Sequence, residues 1–262
     1  MATTSTVFNA YSRYYDLLYQ DKDYASEADY IQTLLARYGI NQGDLLELGS
    51  GTGKHGCLLV DKGYCVHGIE RSADMVAQAE KKAGFTCQLG DICTVKMGRT
   101  YDAVISLFHV ISYQTSNDNL NAVFARAAKH LNQHGLFVFD FWYSPAVYAQ
   151  RPSVRVKRMA NDKAEITRIA EPTLRTNENQ VDVRYSIYAR DLASGQVQTL
   201  TENHPMRHFS LPEIDLLAAT HGFERIAAEE FLTVNPAGED TWGVCVILQK
   251  RTSKKGKAPH HD

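Results

Sequence analysis

The five cysteines, Cys57, Cys65, Cys87, Cys93 and Cys245, include no Cys-x-x-Cys pair. An odd number cannot all pair within one chain, so neither a disulfide framework nor a thiolate metal site is expected. Buried free thiols in a reducing, cytoplasmic setting are the simpler expectation. The histidines show no His-x-His or His-Glu-x-x-His spacing, and no metal is expected. No apolar run is long enough to cross a bilayer, and Met1–Thr6 lacks a charged-then-apolar leader pattern. The formal net charge is only −2, which removes any global electrostatic case for nucleic acid or an anionic membrane surface. Internal repeats are also absent.

What remains is ordinary globular composition: 262 residues, 44% hydrophobic and 22% charged. Ala28, Ile31, Leu34 and Leu35 fall on one side of a helix predicted over Tyr24–Tyr38, which Gly39 would stop. Short apolar runs then alternate with helical patterns. Strands are predicted over Asp44–Leu48, Tyr64–Glu70, Phe85–Leu89, Tyr101–Phe108 and Gly135–Phe141, with helices over His55–Lys62, Ala73–Ala83 and Asn117–Leu131. Such alternation implies an α/β fold with a doubly wound, mostly parallel sheet flanked by helices. The period then changes to two. Val154–Met159, Ala164–Ala170, Gln180–Asp191 and Gln196–His208 alternate polar and apolar residues between turn signals, which implies an inserted antiparallel β-sheet. A helix over Leu211–His221, with Ser210 as N-cap and Gly222 as stop, precedes two closing strands over Phe223–Leu232 and Thr241–Gln249. The expected organisation is a core of residues 1–150 and 209–250, an insertion of residues 151–208 and a flexible tail of residues 251–262.

The chemistry centres on Leu45-Leu46-Glu47-Leu48-Gly49-Ser50-Gly51-Thr52-Gly53. A strand running into glycines and then a helix brings backbone close to a ligand at the strand's carboxyl end. A nucleotide phosphate loop would need Ser or Thr after Gly53-Lys54, where His55 stands. A dinucleotide loop would need its third glycine at Lys54. Glu47 just ahead of the glycines would repel a pyrophosphate, yet it suits a ligand carrying an ammonium and a sulfonium. Glu70 ends the second strand, where a carboxylate can accept from both hydroxyls of an adenosine ribose. Gly90-Asp91-Ile92 follows the third strand, where Asp91 can accept from an adenine amino group and a backbone amide can donate to the ring.

These strings, with Gly-Ile-Glu-Arg-Ser-Ala-Asp-Met and Tyr-Asp-Ala-Val-Ile-Ser-Leu, resemble class I S-adenosylmethionine-dependent methyltransferases over residues 40–141. The resemblance implies a Rossmann-like, seven-stranded core with S-adenosyl-L-methionine as cofactor. It places Glu47, Gly49, Ser50, Gly51 and Gly53 at the methionine part, with Tyr24 also at the cofactor. It places Glu70 at the ribose, Arg71 and Met75 beside the adenine, Gly90, Asp91 and Ile92 at its edge, and Leu107 near the amino group.

The segments Tyr14–Tyr19, Lys22–Tyr24, Phe108–Tyr113 and Asp140–Tyr143 are similar to those of a narrower group, the methyltransferases of nucleotide-linked amino sugars. That likeness implies N-methylation of an amino group on a nucleotide-linked deoxysugar, with O-methylation of a sugar hydroxyl or N-methylation of another small amine as alternatives. A non-catalytic S-adenosylmethionine-binding protein is the alternative of a different class. Positioning carries much of methyl transfer, but a hydroxyl or an ammonium must also lose a proton. His109 is the candidate base, unless it merely packs or caps; Tyr15 and Tyr113 are candidates to orient the acceptor or contact the sulfonium. In the macrolide-sugar enzymes a histidine stands where Tyr113 aligns. Asp140 is a candidate partner for the acceptor amine or hydroxyl, and Trp142 and Tyr143 for stacking on a sugar or base. Arg207 and His208, with Arg155, Lys157 and Arg158, are candidate partners for a diphosphate. The insertion is expected to shape the acceptor site and to offer a homodimer contact.

Overall fold

Strand β1 (Gly43–Leu48) lies third from one edge of a seven-stranded sheet in the computed structural model, which describes residues 17–79 and 81–251. The other strands are β2 (Tyr64–Glu70), β3 (Phe85–Leu89), β4 (Tyr101–Ser106), β5 (Leu131–Trp142), β10 (Phe223–Glu230) and β11 (Gly243–Lys250). Their order is β10-β11-β5-β4-β1-β2-β3, and β11 alone runs antiparallel to the rest. The chain leaves β1 toward β2 and β3, then returns to β4 on the other side. That reversal opens a crevice at the carboxyl ends of β1 and β4, the general ligand position of open α/β sheets.

Successive residues of the central strands feed two faces. Leu46, Leu48, Val104, Phe137 and Phe139 pack under helices α4 (Asn117–His130) and α6 (Leu211–Thr220). Leu45, Ala103, Ile105 and Val138 pack under α1 (Tyr24–Arg37) and α2 (Lys54–Asp61). Ala28, Ile31, Leu34 and Leu35 of α1 are fully buried there, as their spacing predicted. Asp23 caps α1 by accepting from Ser26 N–H at 2.9 Å, and Gly39, at φ +85°, lets the chain turn away.

Helix α3 (Ala73–Gln78) is shorter than its sequence pattern suggested. The Gly84 carbonyl already accepts from Val66 N–H at 2.8 Å, so the chain must descend to the sheet before that residue. The sequence also did not announce α5 (Ser144–Gln150), which has a proline in its first turn, or the 3-10 turn Val110–Tyr113. Ser210 does precede α6, but its side chain makes no cap hydrogen bond, so the N-cap expectation holds for its position only.

Strands β6 (Arg155–Ala160), β7 (Ala164–Arg175), β8 (Gln180–Asp191) and β9 (Val197–Arg207) form a separate antiparallel meander in that order. The meander lies in the chain between α5 and α6. β7 continues past the predicted Ala170 through Pro172, because β6 pairs with it only as far as Ala170. Beyond that point β7 is an edge, where a missing N–H breaks no ladder. The inner face of this sheet packs Ala170, Val181 and Val183 against Val147, Trp142 and Trp242, which fixes it over the carboxyl end of the core.

Candidate active site

A cavity of about 480 Å³ lies at those carboxyl ends, a size in the usual range of ligand sites. Of the sequence-predicted cofactor residues, Tyr24, Gly49, Ser50, Gly51, Glu70, Arg71, Met75, Asp91, Ile92 and Leu107 line it. Glu47, Gly53 and Gly90 are not among the lining residues. His109, Tyr113, Trp142 and Arg155 also line it, whereas Asp140, Tyr143, Arg207 and His208 do not. Tyr15 and the expected tail beyond residue 251 lie outside the described residues.

The glycine loop is built by close approach. Gly49 has φ +77°, and a Cβ there would come within 2.6 Å of Val110 Cγ1. The loop after β4 therefore sits directly on the glycines. A Cβ at Gly56 would stand 2.8 Å from Glu47 Oε2 and closer still to Phe85, so the helix after the loop leaves Glu47 its space. Gly56 escaped the sequence reading, since a lone glycine in a helix is an ordinary propensity defect.

Glu47 is 1% exposed and its Oε2 has no hydrogen-bond partner among the described residues. Burial, together with the nearby Glu70 carboxylate, pushes its pKa up to about 8. Glu70 is itself tied down, accepting from Gly51 N–H at 3.0 Å and from Ser72 N–H at 2.8 Å. Asp91 accepts from Cys93 N–H at 2.7 Å, which folds the turn after β3. A buried carboxylate oxygen awaiting a donor, beside glycines that expose their backbone, fits the ammonium end of S-adenosylmethionine. Two further strand-end acids fit its hydroxyl and amino donors.

His109 adopts a left-handed conformation, φ +61°, and Asp140 holds it there. The Asp140 carboxylate accepts the His109 backbone N–H at 3.1 and 3.2 Å, and Oδ2 lies 2.7 Å from His109 Nδ1. Asp140 is 1% exposed. Burial alone would raise its pKa, but the charge and hydrogen bonds of His109, with Lys22 beyond, hold it below the ordinary carboxylate value. Asp140 thus stands behind His109 rather than facing the cavity, where the sequence reading had set it. The Trp142 ring meets His109 edge-on at 6.1 Å.

The meander supplies the outer wall with Arg155, Arg168, Tyr185 and Met206. Arg168 lies over Tyr19 and Tyr185, with guanidinium-to-ring separations of 5.7 and 4.9 Å. Sequence reasoning missed Arg168 because strand alternation gives its face but not what that face covers. Three of the diphosphate candidates are engaged elsewhere. Arg207 donates to Glu213 at 2.5 Å and to Asn117 at 2.8 Å. Lys157 donates to the Leu18 carbonyl and Asp21, and the fully buried His208 lies 2.8 Å from Ser144 Oγ. Arg158 is exposed and lies outside the cavity lining, and Tyr143 is the N-cap residue of α5.

Residues 45–135 match the family model described as a methyltransferase domain. The chain is 28% identical over 234 residues to dTDP-3-amino-3,4,6-trideoxy-alpha-D-glucopyranose N,N-dimethyltransferase of Streptomyces venezuelae, covering 86% of this chain and 92% of that one. It is 26% identical over 227 residues to dTDP-3-amino-3,6-dideoxy-alpha-D-glucopyranose N,N-dimethyltransferase of Streptomyces fradiae, covering 86% of each. The crystal structure of an S-adenosylmethionine-dependent methyltransferase from Clostridium acetobutylicum superposes with a TM-score of 0.78 at 19% identity, over 94% of this chain and 99% of that one. Among the described residues no helix is long and apolar enough to cross a membrane. By its strand order, its glycine loop and these likenesses, the chain carries a methyltransferase domain on a class I methyltransferase fold.

Proposed function

We propose that the acceptor is the amino group of a nucleotide-linked deoxysugar, methylated at nitrogen. The observation that carries this reading is one continuous cavity. It runs from the glycine loop past His109 to Arg155 and Arg168 of the meander. A hydrophilic acceptor with a diphosphate matches that outer end, since guanidinium groups pair readily with phosphate oxygens. The two Streptomyces relatives are named for dTDP-linked amino deoxysugars, which supports the same acceptor.

S-adenosylmethionine, when bound, supplies an electrophilic methyl group. Glu47 and the Gly49–Gly51 backbone would hold its methionine part, Glu70 its ribose, and Asp91, Ile92 and Met75 its adenine. The remaining work belongs to the protein. An amino sugar enters largely as its ammonium, and the nitrogen must shed a proton before its lone pair can attack. The Asp140 carboxylate, 2.7 Å from Nδ1, favours a proton on that nitrogen, which leaves Nε2 as the proton acceptor of the ring. The Asp140 carboxylate then stabilises the imidazolium that forms. Trp142 packs against His109 and limits its rotation.

The test is a methyl-transfer assay on nucleotide-linked amino deoxysugars beside their hydroxyl counterparts. Turnover confined to the amino members is expected. Turnover of the hydroxyl members alone would replace the reading with O-methylation.

A further inference from the structure

Tyr113 ends the 3-10 turn and lines the cavity. Its hydroxyl oxygen lies 2.9 Å from His204 Nδ1 on β9, across 91 residues of sequence. His204 Nε2 lies 3.1 Å from Glu202 Oε2, two residues earlier on the same face of that strand. Both members of the β9 pair are buried, His204 at 1% and Glu202 at 8% exposure. Tyr185 of β8 stands edge-on to the His204 ring at 4.7 Å and fixes its plane. The meander therefore brings a carboxylate–imidazole pair to the Tyr113 phenol in the cavity wall.

We infer that Glu202 and His204 set the hydrogen-bond polarity of Tyr113, so that its oxygen meets the acceptor only as a hydrogen-bond acceptor. The reason is donor arithmetic. An ionised carboxylate only accepts, so Glu202 takes the proton of His204 Nε2–H. A neutral imidazole carries one N–H, which leaves Nδ1 as an acceptor. Tyr113 then donates its single proton to Nδ1. Every other partner of the Tyr113 oxygen must bring its own hydrogen. Burial raises the Tyr113 pKa well above that of a free phenol, with Tyr185, Tyr19 and Glu202 adding to it against Arg71, so the phenol keeps the proton it donates.

This polarity has a consequence for the nucleophile, resting on the amine reading above. A neutral primary amine can place one N–H on Tyr113 and turn its lone pair toward the methyl. A neutral secondary amine can do the same with its one remaining N–H. A neutral tertiary amine has none. The chain thus aligns the nitrogen for a first and a second methylation and not for a third. Tyr113 is the group that touches the acceptor, and His204 and Glu202 are positioning residues.

Nitrogen-15 NMR of the histidine-labelled full chain reads the tautomer directly, without any acceptor. The inference expects His204 protonated at Nε2 and bare at Nδ1; protonation at Nδ1 overturns it. Kinetics supply the second arm. Tyr113→Phe, His204→Leu and Glu202→Gln should each lower kcat for an amino sugar about tenfold, with affinity for S-adenosylhomocysteine unchanged. His204→Asn, which keeps an acceptor near the Nδ1 position, should recover part of the loss. The double variant Tyr113→Phe/Glu202→Gln should be no slower than Tyr113→Phe alone, because one chain is broken twice. Multiplying losses, or a wild type that methylates a tertiary amine as fast as a secondary one, would overturn the inference. A wild type inactive on every amine overturns the acceptor reading instead, and the tautomer still decides the polarity of Tyr113.

Discussion

Asp140 Oδ2 lies 2.7 Å from His109 Nδ1 while the same carboxylate accepts the His109 backbone N–H. One buried side chain thus holds the backbone conformation of a residue that lines the cavity and sets a carboxylate beside its ring. If His109 takes the proton, His109→Ala should lower kcat by about 10²-fold, the lower end of the range for a positioned general base. Asp140→Asn should cost nearly as much, because the amide can donate to Nδ1 and reverse the ring. Calorimetric affinity for S-adenosylhomocysteine should stay the same in both. Normal turnover in His109→Ala would assign the histidine to packing.

If Glu47 meets the cofactor's ammonium, cofactor binding is a proton-linked event. Its pKa, pushed up to about 8, leaves it mostly protonated at neutral pH without ligand, and an ammonium partner needs the carboxylate. Affinity for S-adenosylhomocysteine should therefore rise with pH up to about 8 and level off above. Calorimetry at pH 7 in buffers of different ionisation enthalpy should show proton release, lost in Glu47→Gln. The unliganded protein has the matching slope. The native state holds this proton more tightly than the unfolded chain, so stability falls as pH rises from the ordinary glutamate value toward about 8. Glu47→Gln should remove that fall in a series of thermal melts.

Glu70 serves the loop and, in the proposed reading, the ligand. Its bonds to Gly51 and Ser72 N–H tie the glycines to the end of β2. Glu70→Ala should weaken S-adenosylhomocysteine binding by about 1–3 kcal/mol, the scale of lost charge-assisted hydrogen bonds. Affinity equal to the wild type would refute its assignment to the ribose.

Gly49→Ala tests the close approach. The added methyl would meet Val110 at 2.6 Å in a left-handed backbone position. Steric and conformational strain should act together, lowering the melting temperature by several degrees and cofactor affinity by about tenfold or more. Gly51 has nothing within 4 Å of a built Cβ, so Gly51→Ala should carry the conformational cost alone and be milder in the melt.

Arg168 should set the acceptor's KM rather than the cofactor's affinity. Arg168→Met is expected to raise KM for a nucleotide sugar at least tenfold, with kcat changed less. Added salt should raise the wild-type KM more than that of the variant.

The core site was legible because its acids are local events. Glu47, Glu70 and Asp91 each sit where an apolar run ends, and the glycines beside two of them are visible one residue at a time. The pairings were not. Asp140 reaches His109 because β5 lies beside β4 in the register Ser106 to Phe139, which no short window contains. Asp140 was accordingly read as facing the acceptor. Tyr113 and His204 meet only because the meander folds back over the core, and Arg207 is taken by Glu213 six residues on, at the start of α6. Alternation in β7 and β9 was clear enough to give faces, but a face does not say what it covers.

The most direct test is a reaction with S-adenosylmethionine carrying a carbon-13 methyl, a nucleotide-linked amino deoxysugar and the wild-type protein, with the product read by NMR. The account predicts label at nitrogen, in one and then two methyl groups. Label at a sugar oxygen, or none in any product while S-adenosylhomocysteine still binds, would contradict it.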